Sequence, residues 1–339
     1  MNKNLTLKDL AQKLGLSIST VSRALHDNPA INDATKLRVN KLAEKLGYYP
    51  DILAKSLKNN ETFTIGVIVP EISHFFFSSV IDGIEEKTNN YGYTILVTKS
   101  NEDMKREIIN TKSLISNRVA GVIASISQTT NNGLHFEQIL KRGIPLVLFD
   151  RVLYDLKVPK VIGNDFEKIY EIVSHLINSG YKHIGYLGGP PNLNISKTRI
   201  EGYKKALLDN NIDLMNRIIL DVKLNENGGF KGARTLIQKF SNIDAICCVN
   251  DPVALGVYKY LNKVGIRIPD KIAVTGFSNN PSSKIITPSM TTVDQNGYKM
   301  GSKAAEILIK KINNKSSESS NETHIIEGKL IIRDSSRKR

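Results

Sequence analysis

From Thr62 onward the chain alternates short, unbroken apolar runs with longer amphipathic ones, and no other feature narrows the possible folds as far. Eight runs read as strands: TIGVIV at 64–69, YTILV at 93–97, AGVIA at 120–124, PLVLF at 145–149, HIGYL at 183–187, RIILD at 217–221, DAICCV at 244–249 and KIAVTGF at 271–277. Helical stretches stand between them, among them 76–90, 104–117, 166–178, 200–210, 229–240 and 252–264. A strand that is apolar on both faces must be covered on both, so the pattern predicts an α/β fold of parallel, doubly wound sheets. One sheet of eight strands is possible, but two arrays of about four, with a break near 159–164, match ordinary domain sizes better. Two lobes with a cleft between them follow. After a helix at 296–312 and the polar run NKSSESSNET at 314–323, HIIEGKLIIR reads as one last strand and the tail 335–339 as disordered.

The stretch LTLKDLAQKLGLSISTVSRAL at 5–25 has a helical period instead. Thr6 is a natural N-cap, Leu7, Leu10, Ala11 and Leu14 fall on one face, and Gly15 can take the left-handed conformation that ends the helix. Ser17 caps a second short helix with Val21, Ala24 and Leu25 inward, so two helices meet across a glycine corner as in a helix-turn-helix. The second helix turns out Ile18, Ser19, Ser22, Arg23 and His26. Hydroxyls, a guanidinium and one aliphatic group suit the base edges and phosphates of a major groove, although any small helical hairpin shows some such face. A third helix runs from an Asn32 or Asp33 cap to Leu46, where Gly47 stops it.

Between this headpiece and the body, DILAKSLK at 51–58 places Leu53, Ala54 and Leu57 on one side of about two helical turns. So short a helix is marginal in water and needs a cover. The same segment of a second subunit would supply one, and so would the unstacked step of a bent minor groove; otherwise the segment is a plain linker.

Charge bears on the partner. A formal net charge of +14 and a pI near 9.5 favour a polyanion, since each neutralised phosphate releases counterions. Lys3, Lys8, Asp9, Gln12 and Lys13 interrupt the N-terminal apolar residues, so no export signal is read, and no later run approaches a membrane span. A cytoplasmic protein without membrane contact is expected. Cys247 and Cys248 are adjacent in an apolar run, which suits buried strand residues better than a disulfide or a metal site. There is no GxxxxGK[ST] loop, Gly185, Gly188 and Gly189 do not make GxGxxG, and no serine lies in a GxSxG elbow. No catalytic residue, metal or cofactor is assigned, and the chain is not read as an enzyme.

The order helix-turn-helix, short leucine-bearing hinge, two-lobed α/β body resembles the LacI/GalR family of bacterial transcription regulators over nearly the whole chain. The resemblance rests on TLKDLAQKLGLSISTVSRAL, LGYYPDILAKSL, IGVIVPEISHFFF, RIEGYKKAL at 199–207, NDPVALGVYKYL at 250–261, PDKIAVTGFSN at 269–279 and PSMTTVDQNGYKMGSKAAEIL at 288–308. It implies a headpiece at 1–49, a hinge helix or linker at 50–61, and a periplasmic-binding-protein-like body at 62–339. The N-lobe would take about 62–161 and 292–322, and the C-lobe about 162–291 and 323–334. It further implies a homodimer on a pseudo-palindromic double-stranded DNA operator, with hinge helices in the central minor groove. Ile18 and Ser19 take the main base-reading positions, Thr6, Ser17, Thr20 and Ser22 contact phosphates or bases, Arg23 reaches a base edge, and Ala54, Lys55 and Leu57 contact the minor groove.

Ligands of doubly wound sheets bind at the carboxyl ends of the strands. The loops there, and the helix start at Arg199, supply Asp150, Arg151, Arg199, Asn250 and Asp251, with Phe76, Phe277, His74 and Asn279 nearby. Planar charged and amide groups beside aromatic surface suit a sugar or sugar phosphate. Asn250 and Asp251 could equally cap a helix, Asp150 and Arg151 could pair with each other, and the phenylalanines could be core. Two positions depart from the family pattern: Asn164-Asp165 replaces a common Asp-Asn, and Ser278-Asn279 replaces a common Asp-Asp. The expected function is that of an effector-responsive, sequence-specific DNA-binding regulator, a repressor of carbohydrate-utilisation genes, with a ligand-independent or purine/nucleoside-responsive regulator as the alternative.

Overall fold

The computed structural model describes residues 5–25, 27–48, 62–212, 218–313 and 321–338. The chain divides into two units, Met1–Thr62 and Phe63–Arg339. His26 and the hinge segment with Ala54, Lys55 and Leu57 lie outside the described residues, as does most of the polar run after the last long helix.

The first unit contains α1 (Leu7–Leu14), α2 (Ile18–Leu25) and α3 (Asp33–Leu46). Local chemistry sets their ends. Thr6 and Asp9 form a capping box, the Asn32 side chain accepts from the Thr35 amide, and Gly15 and Gly47 close α1 and α3 at φ 64° and 63°. Leu10, Val21 and Val39 are fully buried between the helices, with Ala11, Ala24 and Ala43 filling the gaps.

The second unit has twelve described strands: β1 (Thr64–Val69), β2 (Thr94–Lys99), β3 (Gly121–Ala124), β4 (Leu146–Phe149), β5 (Lys160–Gly163), β6 (Ile184–Gly188), β7 (Ile218–Asp221), β8 (Ala245–Cys248), β9 (Ala273–Thr275), β10 (Thr292–Asp294), β11 (Thr323–Ile326) and β12 (Lys329–Ile331). Helices α4 (Phe75–Asn89), α5 (Met104–Ser116), α6 (Leu134–Lys141), α7 (Asp165–Asn178), α8 (Asn194–Asp209), α9 (Glu226–Lys239), α10 (Asp251–Lys263), α11 (Ser282–Ile285) and α12 (Gly297–Asn313) connect them. The N-lobe sheet is parallel in the order β11-β5-β4-β3-β1-β2, and the C-lobe sheet is parallel in the order β7-β6-β8-β9. Central strands are buried on both faces, as their unbroken apolar sequence requires, and Cys247 and Cys248 are buried free thiols on β8. On the N-lobe α4 and α12 touch backbone to backbone: a Cβ at Gly83 would collide with the Tyr298 carbonyl, and one at Gly301 with the Val80 carbonyl.

Three expectations are corrected. The sheets hold six and four strands rather than about four each, because KVIG at the supposed break forms β5; its Lys160 hides the apolar pattern while the chain buries that side chain with Nζ on the Leu156 and Val158 carbonyls. HIIEGKLIIR is two strands, divided at Gly328: β11 pairs with β5 (Thr323 opposite Lys160), and β12 pairs antiparallel with β10 where the chain passes between lobes. Residues 323–326 therefore belong to the N-lobe sheet, not to the C-lobe. The tail is ordered through a 3-10 turn at Asp334–Ser336, where Ser335 and Ser336 are fully buried. Ser335 Oγ donates to the Val274 carbonyl at 2.6 Å and accepts from the Thr291 amide at 2.9 Å.

Candidate functional site

In the headpiece the outward edge of α2 exposes Ile18, Ser19 and Arg23, with Ser22 and Thr20 half-buried. Ile18 is 48 % exposed at the start of α2. The Ser17 hydroxyl lies 2.8 Å from both the Ser19 and the Thr20 hydroxyls and accepts from the Thr20 amide at 3.1 Å, so these three side chains hold one another at the start of α2. Thr6 is committed to its capping box, accepting from the Asp9 amide and donating to the Asp9 carboxylate at 2.6 Å. Ser17 and Thr6 are thus caps of their helices, and both residues are exposed.

In the second unit a small cavity, of about 20 Å³, lies at the carboxyl ends of the strands of both lobes. His74 and Phe76 enter from the start of α4, Asp150 and Arg151 follow β4, Arg199 projects from α8, and Asn250 caps α10 after β8. Phe77, Ile195, Leu224, Ser278 and Gln295 complete the wall.

Both guanidiniums are already paired. Arg199 donates from Nε to Asp165 at 3.1 Å and from Nη1 to the Val249 carbonyl at 2.6 Å, and its carbon stands 3.9 Å over the Phe277 ring. Arg151 donates from Nη1 to both oxygens of Glu102, at 2.9 and 2.8 Å, and lies over Phe77. Among the described residues Arg151 Nε and His74 Nδ1 are buried without a hydrogen-bond partner. Burial pushes the Asp150 carboxyl up to about 6, although Arg151 and Arg199 pull the other way. Burial, reinforced by the same two arginines, lowers His74 to about 4, so its imidazole is neutral near pH 7. The cavity therefore presents one carboxylate, Asp150, 3.9 Å from Arg151 Nε, among neutral donors and acceptors, while Glu102 and Asp165 take the closer ion pairs of the two arginines.

Three of the expected effector residues stand elsewhere. Asp251 is fully buried behind Asn250 and accepts from the Thr292 hydroxyl and the Asn280 amide, each at 2.6 Å. Phe277 is the platform beneath Arg199. Asn279 accepts from Arg333 Nη2 at 2.8 Å, donates to Asp294 at 3.1 Å, and faces a separate groove beside Phe75 and Tyr298. Glu102 and Gln295 were not read from the sequence. Gln295 lies within the TTVDQN motif, which could have found it, whereas nothing local ties Glu102 to Arg151 across 49 positions.

Comparison with known proteins followed the same division. Residues 6–51 match the family described as bacterial regulatory proteins of the lacI family, and residues 62–333 match periplasmic binding proteins and the sugar binding domain of the LacI family. The chain is 35% identical over 334 residues to the HTH-type transcriptional regulator RegA of Clostridium acetobutylicum, covering 97% of this chain and 98% of that one. It is 31% identical over 335 residues to the HTH-type transcriptional repressor PurR of Vibrio vulnificus, covering 98% and 99%. Its fold matches a crystal structure of the Lac repressor dimer bound to operator and the anti-inducer ONPF with a TM-score of 0.86, at 21% identity and over 98% and 99% of the two chains.

Proposed function

The chain belongs to the LacI family of bacterial regulatory proteins, and on that footing we propose that it is an effector-responsive, sequence-specific repressor of carbohydrate-utilisation genes that binds a pseudo-palindromic operator as a homodimer. The observation that carries this reading is the union, in one chain, of an exposed helix-turn-helix face with a cleft of paired arginines and one carboxylate. Ile18, Ser19 and Arg23 read bases, while Thr6, Ser17, Thr20 and Ser22 serve the backbone. Ile18 offers apolar contact to a thymine methyl, and Arg23 offers a guanidinium to a guanine edge.

The effector binds among His74, Phe76, Asp150, Arg151, Arg199 and Asn250. A neutral polyhydroxyl compound fits this set better than a phosphorylated one, because Asp165 and Glu102 already satisfy the charge of Arg199 and Arg151. The cleft binds its ligand and does not convert it. No helix among the described residues is long and apolar enough to cross a membrane; the protein works in the cytoplasm, beside its DNA.

Anisotropy of labelled duplexes titrated with the full chain tests this, in the presence of neutral sugars, sugar phosphates or nucleosides. Support is operator affinity that one class of neutral sugar changes at least tenfold. A response to sugar phosphates alone or nucleosides alone overturns the effector assignment.

A further inference from the structure

Residues 190–194, PPNLN, lead from β6 into α8 and form no part of the cavity's charged set. Asn194 donates from Nδ2 to the Asp150 carbonyl at 3.0 Å and accepts at Oδ1 from the Val152 amide at 2.9 Å. One C-lobe amide thus clamps the N-lobe backbone on both sides of Arg151. Two residues earlier, Asn192 donates from Nδ2 to the carbonyls of Gln128 and Thr130, both at 3.0 Å. The loop that Asn192 grips returns to the same place, since the Gln128 amide donates to Glu102 at 2.8 Å and Glu102 holds Arg151.

The clamped backbone is one that needs holding. Asp150 has φ +55°, a left-handed conformation that aspartate tolerates better than most residues but that still costs more than a helical or extended one. Beside the clamp, Val152 of the N-lobe and Leu193 and Ile195 of the C-lobe are buried members of one apolar cluster that includes residues of both lobes.

We propose that Asn192 and Asn194 are an interlobe latch: they hold the lobes together and position Asp150 and Arg151 without touching the effector. Both are positioning residues. Resting on the effector site assigned above, the latch sets effector affinity, since a lobe that swings away takes Asp150 and Arg151 from Arg199 and Asn250.

Hydrogen exchange of the full chain, with neither effector nor DNA added, reads the latch directly. Asn192 bonds the Gln128–Thr130 loop, not Val152, so a cooperative latch makes Asn192→Ala speed exchange of the Val152 amide about tenfold or more while the β8 amides keep their rates. Asn192→Asp, which keeps the shape and loses the donor, gives the same result. An unchanged Val152 rate in both variants overturns the proposal, and so does an equal acceleration throughout β8, which would mean general destabilisation. Because no ligand is present, failure here leaves the assignment of the effector untouched, and failure of any sugar to act leaves the latch standing.

Discussion

The Arg199 guanidinium carbon stands over the Phe277 ring, 3.9 Å from its centroid, while Asp165 and the Val249 carbonyl accept hydrogen bonds from the guanidinium. Arg199 is therefore as much a part of the C-lobe interior as of the cavity. Arg199→Ala strands the buried Asp165 carboxylate and should cost about 3–5 kcal/mol. Urea unfolding measures it, and a loss under about 1 kcal/mol would show that Asp165 has another partner.

Asp150 gives the cavity a pH dependence with a definite sign. Its carboxyl stands at about 6 in the folded chain against an ordinary 3.8, so the folded chain holds the proton between those values and the unfolded chain does not. Stability from this group thus rises as pH falls through about 6, and the ionised form costs about 3 kcal/mol at pH 7.5. Asp150→Asn should stabilise the protein at pH 7.5, by less than that if the amide pairs poorly, and the gain should shrink to about a third by pH 4.5 and vanish only below about pH 3.8. Effector binding through the carboxylate should weaken below pH 6 in the parent alone. A gain that stays constant across this range would contradict the assignment. Asp251 has the same raised value, but its substitution also frees the Thr292 hydroxyl and the Asn280 amide, which offsets any benefit.

On α2, Arg23→Ala should weaken operator binding by about 1–3 kcal/mol and erase preference at one base position. Thr6→Ala should act differently, lowering headpiece stability by about 1 kcal/mol through its cap and weakening all duplexes alike. Competition binding across operator variants separates the two; an intact base preference in Arg23→Ala would remove that residue from the readout.

The buried tail gives a stability test. Ser335→Ala leaves the Val274 carbonyl and the Thr291 amide without their partner and should cost about 1–3 kcal/mol in urea unfolding. A disordered tail would show no change.

What the sequence disclosed follows from how local each signal is. Thr6, Gly15, Asn32 and Gly47 bound their helices through contacts within a turn, and β1, β3, β4 and β8 announce themselves by unbroken apolar runs. β5 escaped because a strand of four residues that buries a lysine resembles a loop until its partner is known, and β11 and β12 read as one run because only their separate partners, β5 and β10, divide them. The same distinction divides the cavity. Strand-end position picked out Asp150, Arg151 and Asn250, but whether a side chain faces the cleft depends on distant partners: Thr292 draws Asp251 away, Arg333 draws Asn279 away, and Glu102 sits on Arg151 from 49 residues off.

As proposed above, the chain reads one specific sequence as a dimer, and a small neutral ligand changes that reading. Selection from a random duplex library with the full chain, repeated across a salt series and then with each class of sugar, tests it most directly. A single pseudo-palindromic site should be enriched, its binding should weaken with salt, and one neutral sugar should shift its affinity at least tenfold. Enrichment of no sequence, with salt-dependent binding that no ligand alters, would contradict it.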